Sequence, residues 1–340
     1  MAGDHGDAIP PIVVTMGCPA GIGPELTLKV GSNPPVAHPL VVVGDRSVLD
    51  RTAREMGIQA VVEEWRPGEP YRQGCVQVLS ITELGGQVRW GEPDAVAGKA
   101  SGAYVEQAAR LVLEGKAAAM VTCPISKGAL NQGGYHYPGH TEMLAALCGA
   151  DEYAMMMAGS SLKVVLVTIH EPLSRVPRLL TREKVARAIR LCGISLAQDF
   201  GLARPRIGVA GLNPHGGEGG MFGDEEREVI EPAVAQVRGQ GGFEVSGPLP
   251  PDTIFHRAAL GAFDGVVAMY HDQGLIPFKL LHFADGVNVT IGLPMVRTSV
   301  DHGTAYDIAG KGKADPASLA AAVRLAAEIS RNRRRYTASR

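Results

Sequence analysis

Short apolar runs rich in Val, Ile and Leu recur along this chain with helix-patterned stretches between them, and that alternation restricts it to an α/β architecture on a largely parallel sheet. The runs are IVVTM at 12–16, PLVVVG at 39–44, VQVLSI at 76–81, AAAMVTC at 117–123, LKVVLVTIH at 162–170, a strand at 205–212, DGVVAMYH at 264–271 and GVNVTIG at 286–292. Several are apolar without a break, as strands covered on both faces should be. Between them, 98–116 carries apolar residues at three and four spacing and reads as an amphipathic helix. Thr181 caps a helix over 182–198, and the acidic start of DEEREVIEPAVAQVRG suits a helix N-terminus. A helix follows Asp252 or Thr253, and a last one begins at Pro316 with Asp315 as cap. The segment 126–142 reads as a long polar loop, or as a loop and a short helix. No fixed-period repeat and no long linker appears, so the domains are interleaved or closely packed.

Three of the apolar runs lead to a histidine: His170, His215 and His271. Ligands in open α/β sheets gather at the carboxyl ends of strands, so three imidazoles are expected at one place. A single histidine there is commonly a hydrogen-bonded structural residue. Here each stands in a polar setting that core packing does not require: HEP, NPHGGEGG and MYHDQG. Three histidines with an open fourth position suit a catalytic divalent metal such as zinc, and several divalent ions fit the same donors. His5, His38, His256 and His282 lack that setting and read as structural or surface residues.

With 340 residues, 45% hydrophobic and 20% charged, and a formal net charge of -2, the composition is that of a soluble globular protein with no call for nucleic acid or membrane. No apolar run approaches a membrane span and the first residues lack a signal peptide's basic start, which predicts a cytoplasmic protein. The basic run at 331–335 reads as a frayed, solvated tail. Five cysteines, at 18, 75, 123, 148 and 192, are widely spaced without a CxxC pair and read as reduced, mostly buried thiols.

Other polar groups are candidates for a substrate. PAGIGPE at 19–25 is either an amide cradle for an anion or a tight turn, and GGEGG at 216–220 either admits a ligand or supplies turn conformations. YPGHTE brings His140, Thr141 and Glu142 together in a loop, with Thr141 as a helix cap the plainer alternative. Lys279, Asn288 and Arg297 recur every nine residues, and beside a metal the two cations argue for an anionic substrate.

The strings TMGCPAGIGPE, YPGHTEML, NPHGGEGGMFGDEE, PPDTIFH, MYHDQGLIPFKLL and DGVNVTIGLPMVRTSVDHGTAYDIAG resemble the 4-hydroxythreonine-4-phosphate dehydrogenase family, PdxA, over nearly the whole chain. The resemblance implies an isocitrate/isopropylmalate dehydrogenase-like fold that binds NAD without a GxGxxG fingerprint, and a homodimer with active sites at the subunit interface. It implies that His170, His215 and His271 hold one divalent ion (Zn, Mg or Co), one of them from across the dimer. His140, Thr141, Lys279, Asn288 and Arg297 match substrate-binding positions, and Asp252 and Asp272 stand in motifs beside the catalytic site; the residues that hold NAD are not assigned. The domains expected are 8–127 with 300–331, then 128–299, and a flexible basic tail over 332–340.

Cys18 stands where the family usually has an acidic residue, and Met221 replaces the His common after GEGG. The motif set resembles more closely the family's second branch, which oxidises and decarboxylates 4-phospho-threonate or 4-phospho-erythronate to dihydroxyacetone phosphate. The alternative substrate is 4-phosphooxy-threonine of pyridoxal phosphate synthesis. A branch acting on aromatic cis-dihydrodiols resembles the chain less. A zinc hydrolase and a catalytically inert binding relative are the readings from other classes.

Overall fold

The computed structural model describes residues 9–338; His5, most of the N-terminal segment read for a leader, and residues 339–340 of the expected tail lie outside them. The chain divides into two units, Met1–Asp151 with Leu293–Ser330, and Glu152–Gly292 with Arg331–Arg340. Among the described residues no helix is long and apolar enough to cross a membrane.

The first unit holds β1 (Ile12–Thr15), β2 (Leu40–Gly44), β3 (Val62–Glu64), β4 (Val76–Ser80), β5 (Ala119–Thr122) and the chain's last strand, β12 (Arg297–Ser299). They pair in the order β3-β4-β2-β1-β5-β12, every pair parallel. All residues of β1, β2 and β5 are buried, which is why their sequences are apolar without alternation. The boundary expected near 127 lies instead after Asp151. The helices Lys127–Gln132 and Ala95–Leu113 pack backbone to backbone, because a Cβ on Gly98 would sit 1.8 Å from the Ala129 carbonyl oxygen and one on Gly133 2.3 Å from the Lys99 nitrogen. Arg297, expected in the second domain, belongs to the first through the pairing of β12 with β5.

The second unit holds β6 (Ala154–Ala158), β7 (Lys163–Leu166), β8 (Arg206–Ala210), β9 (Glu244–Leu249), β10 (Gly265–Ala268) and β11 (Val287–Ile291), in the order β11-β6-β7-β10-β8-β9. β6 runs antiparallel to both neighbours, and β7, β10, β8 and β9 are parallel. Val164, Leu166, Val266, Ala268, Ile254 and Phe278 meet in one buried cluster. Each larger side chain there contributes about 1.5–3 kcal/mol of burial, which fixes the strand ends as a platform. The expected loose tail is instead the end of the helix Ala317–Ala338. Arg333 Nε donates to Asp199 Oδ1 at 2.5 Å and Asn332 Nδ2 to the Asp199 carbonyl at 2.8 Å. Asp199 is buried, and a buried carboxylate demands a cation, which the basic run supplies.

Candidate active site

The three strands that precede the histidines are neighbours, β7-β10-β8, so their carboxyl ends open on one edge about 4.8 Å apart from strand to strand. The strands are shorter than the apolar runs, stopping at Leu166, Ala210 and Ala268, and each histidine lies on the segment beyond. Hydrogen bonds tie those segments together. Thr168 donates its backbone N–H and its hydroxyl to the Met269 carbonyl at 3.2 and 2.8 Å. The Gln273 amide accepts from the Met269 N–H at 2.7 Å and donates to the Gly211 carbonyl at 2.7 Å.

His271 opens the helix His271–His282, and its ring lies 5.6 Å from that of His170 between centroids, tilted by 41°. Its Nδ1 is 2.7 Å from Asp272 Oδ1. With the proton on Nδ1 facing the carboxylate, Nε2 keeps its lone pair for a ligand. His215 lies in the Pro214–Gly220 turn, at the start of six consecutive residues of left-handed or positive-φ backbone from His215 (φ 55°) to Gly220 (φ 102°). Glycine adopts this freely, but His215 and Glu218 (φ 43°) hold it at a cost of about 1–2 kcal/mol each. The GGEGG glycines therefore supply the turn. Within a single chain, no group of three or more His, Cys, Asp or Glu among the described residues is arranged to hold a metal ion. The structure pairs His170 with His271 and leaves His215 out of that pair.

Asp252, in the first turn of the helix Pro251–Ala259, and Asp272 line one groove of about 480 Å³ with Phe255, Tyr270, Ile276 and Leu280. Lys279 lies two turns after His271 on the same helix, and Asn288 is on β11, in register with Met157. Asn288 Oδ1 is buried without a protein partner. Such an acceptor costs about 1–3 kcal/mol unless something donates to it.

In the first unit, His140 and Thr141 start the helix His140–Cys148, whose N-cap is Gly139; they are helical rather than in a loop, and Thr141 is not the cap. Arg297, 3% exposed, donates from Nη2 to Thr122 Oγ1 at 2.7 Å. Burial lowers its pKa to about 10 despite the nearby Glu142 charge, so it remains a cation at neutral pH. His140 is partly exposed as a residue, but its Nε2 is enclosed and has no partner. Burial, and then the Arg297 charge, hold its pKa well below the ordinary histidine value, so the ring is neutral. A buried guanidinium beside a neutral imidazole is suited to an anionic ligand.

PAGIGPE resolves as a tight turn. The N–H groups of Cys18, Gly21 and Ile22 donate to the Pro124, Cys18 and Thr304 carbonyls, and a Cβ on Gly23 would sit 1.9 Å from the Met16 oxygen. Those amides are not available to cradle an anion. Cys18 is buried and accepts from the Tyr306 hydroxyl at 3.4 Å. Sequence reasoning missed Thr122, Gln273 and Glu226, and nothing local marks the first two. Glu226 had a signal, an acidic residue behind the histidine loop, but read as a helix-dipole partner.

The model of the family described as "Pyridoxal phosphate biosynthetic protein PdxA" matches residues 35–326. A 4-hydroxythreonine-4-phosphate dehydrogenase of Desulfosudis oleivorans is 51% identical over 322 residues, 93% of this chain and 95% of that protein. One of Geobacter metallireducens is 51% identical over 329 residues, 95% and 96% of the two chains. The crystal structure of the Klebsiella pneumoniae 4-hydroxythreonine-4-phosphate dehydrogenase superposes with a TM-score of 0.88 at 43% identity, covering 95% of this chain and 98% of that one. These likenesses correct the expected placement: they point to the pyridoxal phosphate enzymes and lend no support to the second branch. The matches span both units, and the chain belongs to the PdxA family as an enzyme, an oxidoreductase.

Proposed function

We propose that the chain oxidises the 3-hydroxyl of 4-phosphooxy-threonine with NAD and releases CO₂. Full-length similarity to enzymes of that name carries this reading. The residues fit a divalent ion in part: two facing imidazoles, one with a carboxylate on its Nδ1, are a usual start for such a site. His170 and His271 would hold it with His215, one of the three reaching from a second copy of the chain. When bound, the ion supplies Lewis-acid polarisation of the substrate hydroxyl and of the carbonyl that replaces it.

NAD, when bound, would accept the hydride from the carbon that bears the substrate's hydroxyl while the hydroxyl proton leaves to a base, so that NADH and a 3-keto acid result. The carboxylate is then β to a ketone, so its C–C bond breaks with loss of CO₂, and the enolate that remains takes a proton at carbon to give a phosphorylated aminoketone. Asp272 holds the His271 ring in one orientation. Asn288 Oδ1 and His140 Nε2, each enclosed without a protein partner in its own unit, would offer a partner to substrate donor or acceptor groups. Arg297 and Lys279 supply the positive charge for its anionic ends. Thr141 adds a hydroxyl there, and Asp252 stands beside Asp272 in the same groove.

The dimer part of this reading is supported by Ile276, Leu280, Leu281 and Phe283, on and just beyond the His271–His282 helix, which are 67%, 84%, 49% and 84% exposed. Apolar surface of that extent on one element supports an association face. L280K is expected to shift the protein from dimer to monomer in sedimentation and to lower activity with it.

The experiment is NADH formation by the purified, metal-loaded protein with 4-phosphooxy-threonine and, separately, 4-phospho-threonate. Turnover of the first is expected. Preference for the second restores the second-branch reading, and no NADH from either overturns the proposal.

A further inference from the structure

We infer that Glu226 is the residue that positions His215. This rests on the reading above that His215 is a metal ligand. Glu226 is buried and opens a π-helical turn, Glu226–Ile230, a local irregularity often found beside functional sites. Its Oε1 accepts the backbone N–H groups of Leu212 and Asn213 at 2.7 and 2.8 Å, and its Oε2 accepts from Asn213 Nδ2 at 2.9 Å. Glu225 Oε2 takes the other hydrogen of that amide at 2.7 Å. The carboxylate thus grips the two residues that leave β8 for His215, through bonds stronger than neutral ones.

The loop is shaped around this carboxylate. A Cβ on Gly217 would lie 2.7 Å from Glu226 Oε2 and one on Gly211 2.9 Å from Oε1, so both glycines make room for it. Gly217 also contributes the left-handed turn, with φ 84°. A histidine and a glutamate in left-handed conformation persist only where the surroundings dictate it, and Glu226, bonded to Leu212 and Asn213 just ahead of them, is the constraint we assign. A loop needing only to turn would carry glycine or asparagine at 215; a histidine held there at φ 55° points to a demand on the side chain itself. Gln273 extends the same frame to the His271 segment through Gly211 and Met269.

The test uses the full chain, measuring the dissociation constant for Co²⁺ by absorbance, kcat and KM, and the effect of excess metal on kcat. H215A sets the reference and is expected to lose metal binding. E226Q puts an amide donor against the Asn213 donors, and is expected to weaken Co²⁺ about 10–100-fold, with kcat recovering at high metal. G211A, at a glycine without left-handed backbone whose added Cβ would press on Glu226 Oε1, displaces the carboxylate without removing its charge, is expected to act in the same direction and carries the test alone if E226Q does not fold. A merely structural glutamate would change thermal stability and leave metal affinity as it was. Loss in H215A with wild-type affinity in E226Q and G211A overturns the role of Glu226 alone. Wild-type affinity in H215A overturns the metal reading, and this inference with it.

Discussion

The two units hold their candidate site groups in opposite ways. In the first, the Arg297 guanidinium is buried on a strand with Thr122 on one nitrogen and the Glu142 charge nearby. In the second, His170 and His215 are exposed beyond the strand ends, and their placement comes from backbone ties through Thr168, Gln273 and Glu226. The difference follows from the charge each group needs. A permanent cation can be desolvated in advance and then attracts an anion in a low-dielectric setting, where the interaction is stronger. A metal-binding imidazole must be neutral and must leave a lone pair open, so it gains nothing from burial and depends on a rigid frame.

The largest effect is expected from R297M, which removes the buried cation: kcat/KM should fall on the order of a hundredfold or more, with R297K recovering only part of it. Steady-state kinetics decide this, and wild-type values would erase the contrast between the units. D272N replaces the charged acceptor on His271 Nδ1 with a neutral amide oxygen and should weaken divalent metal about 10–100-fold by calorimetric titration, with little change in thermal stability. T122V leaves one Arg297 donor unmet and should lower kcat/KM roughly tenfold without touching metal affinity. That separation is its check: a matching loss of metal binding would show the two regions coupled.

The smallest effect is in pH. His140 has a lowered folded-state pKa, so above about 6.5 both folded and unfolded forms are neutral and it costs nothing. As pH falls below that value the unfolded chain takes up the proton first, and folding loses stability. The thermal midpoint should therefore drop between neutral pH and pH 5, and His140→Gln should flatten that slope. An identical slope in the variant would mean that the ring protonates freely in the folded state.

Local signals were read well where a local cause sets them. The helix Arg182–Gln198 has the predicted bounds because Thr181 Oγ1 accepts the Lys184 N–H. Asp315 Oδ1 accepts the Ala317 N–H at 2.9 Å, although the helix starts one residue later than predicted. The strands before the histidines were read too long because apolar character continues past the point where the hydrogen-bond ladder stops. The basic tail was misread because its partner, Asp199, is distant in sequence. The segment 128–151 was assigned to the wrong unit for a similar reason, since helix-to-helix contact at Gly98 leaves no periodic trace.

By itself the sequence determined the α/β class, the three apolar runs that lead to histidines, and the cationic and imidazole groups that make this chain a candidate for an anionic, metal-assisted substrate. Its motifs also determined the family. Only the tertiary structure decided that β10 lies between β7 and β8, bringing His271 beside His170 while His215 stands apart on a left-handed turn. Only there do Gln273 and Glu226 become its supports. Periodicity reports which face of an element is apolar, whereas strand order and the reach of one side chain to a distant backbone amide are set by packing across the whole unit.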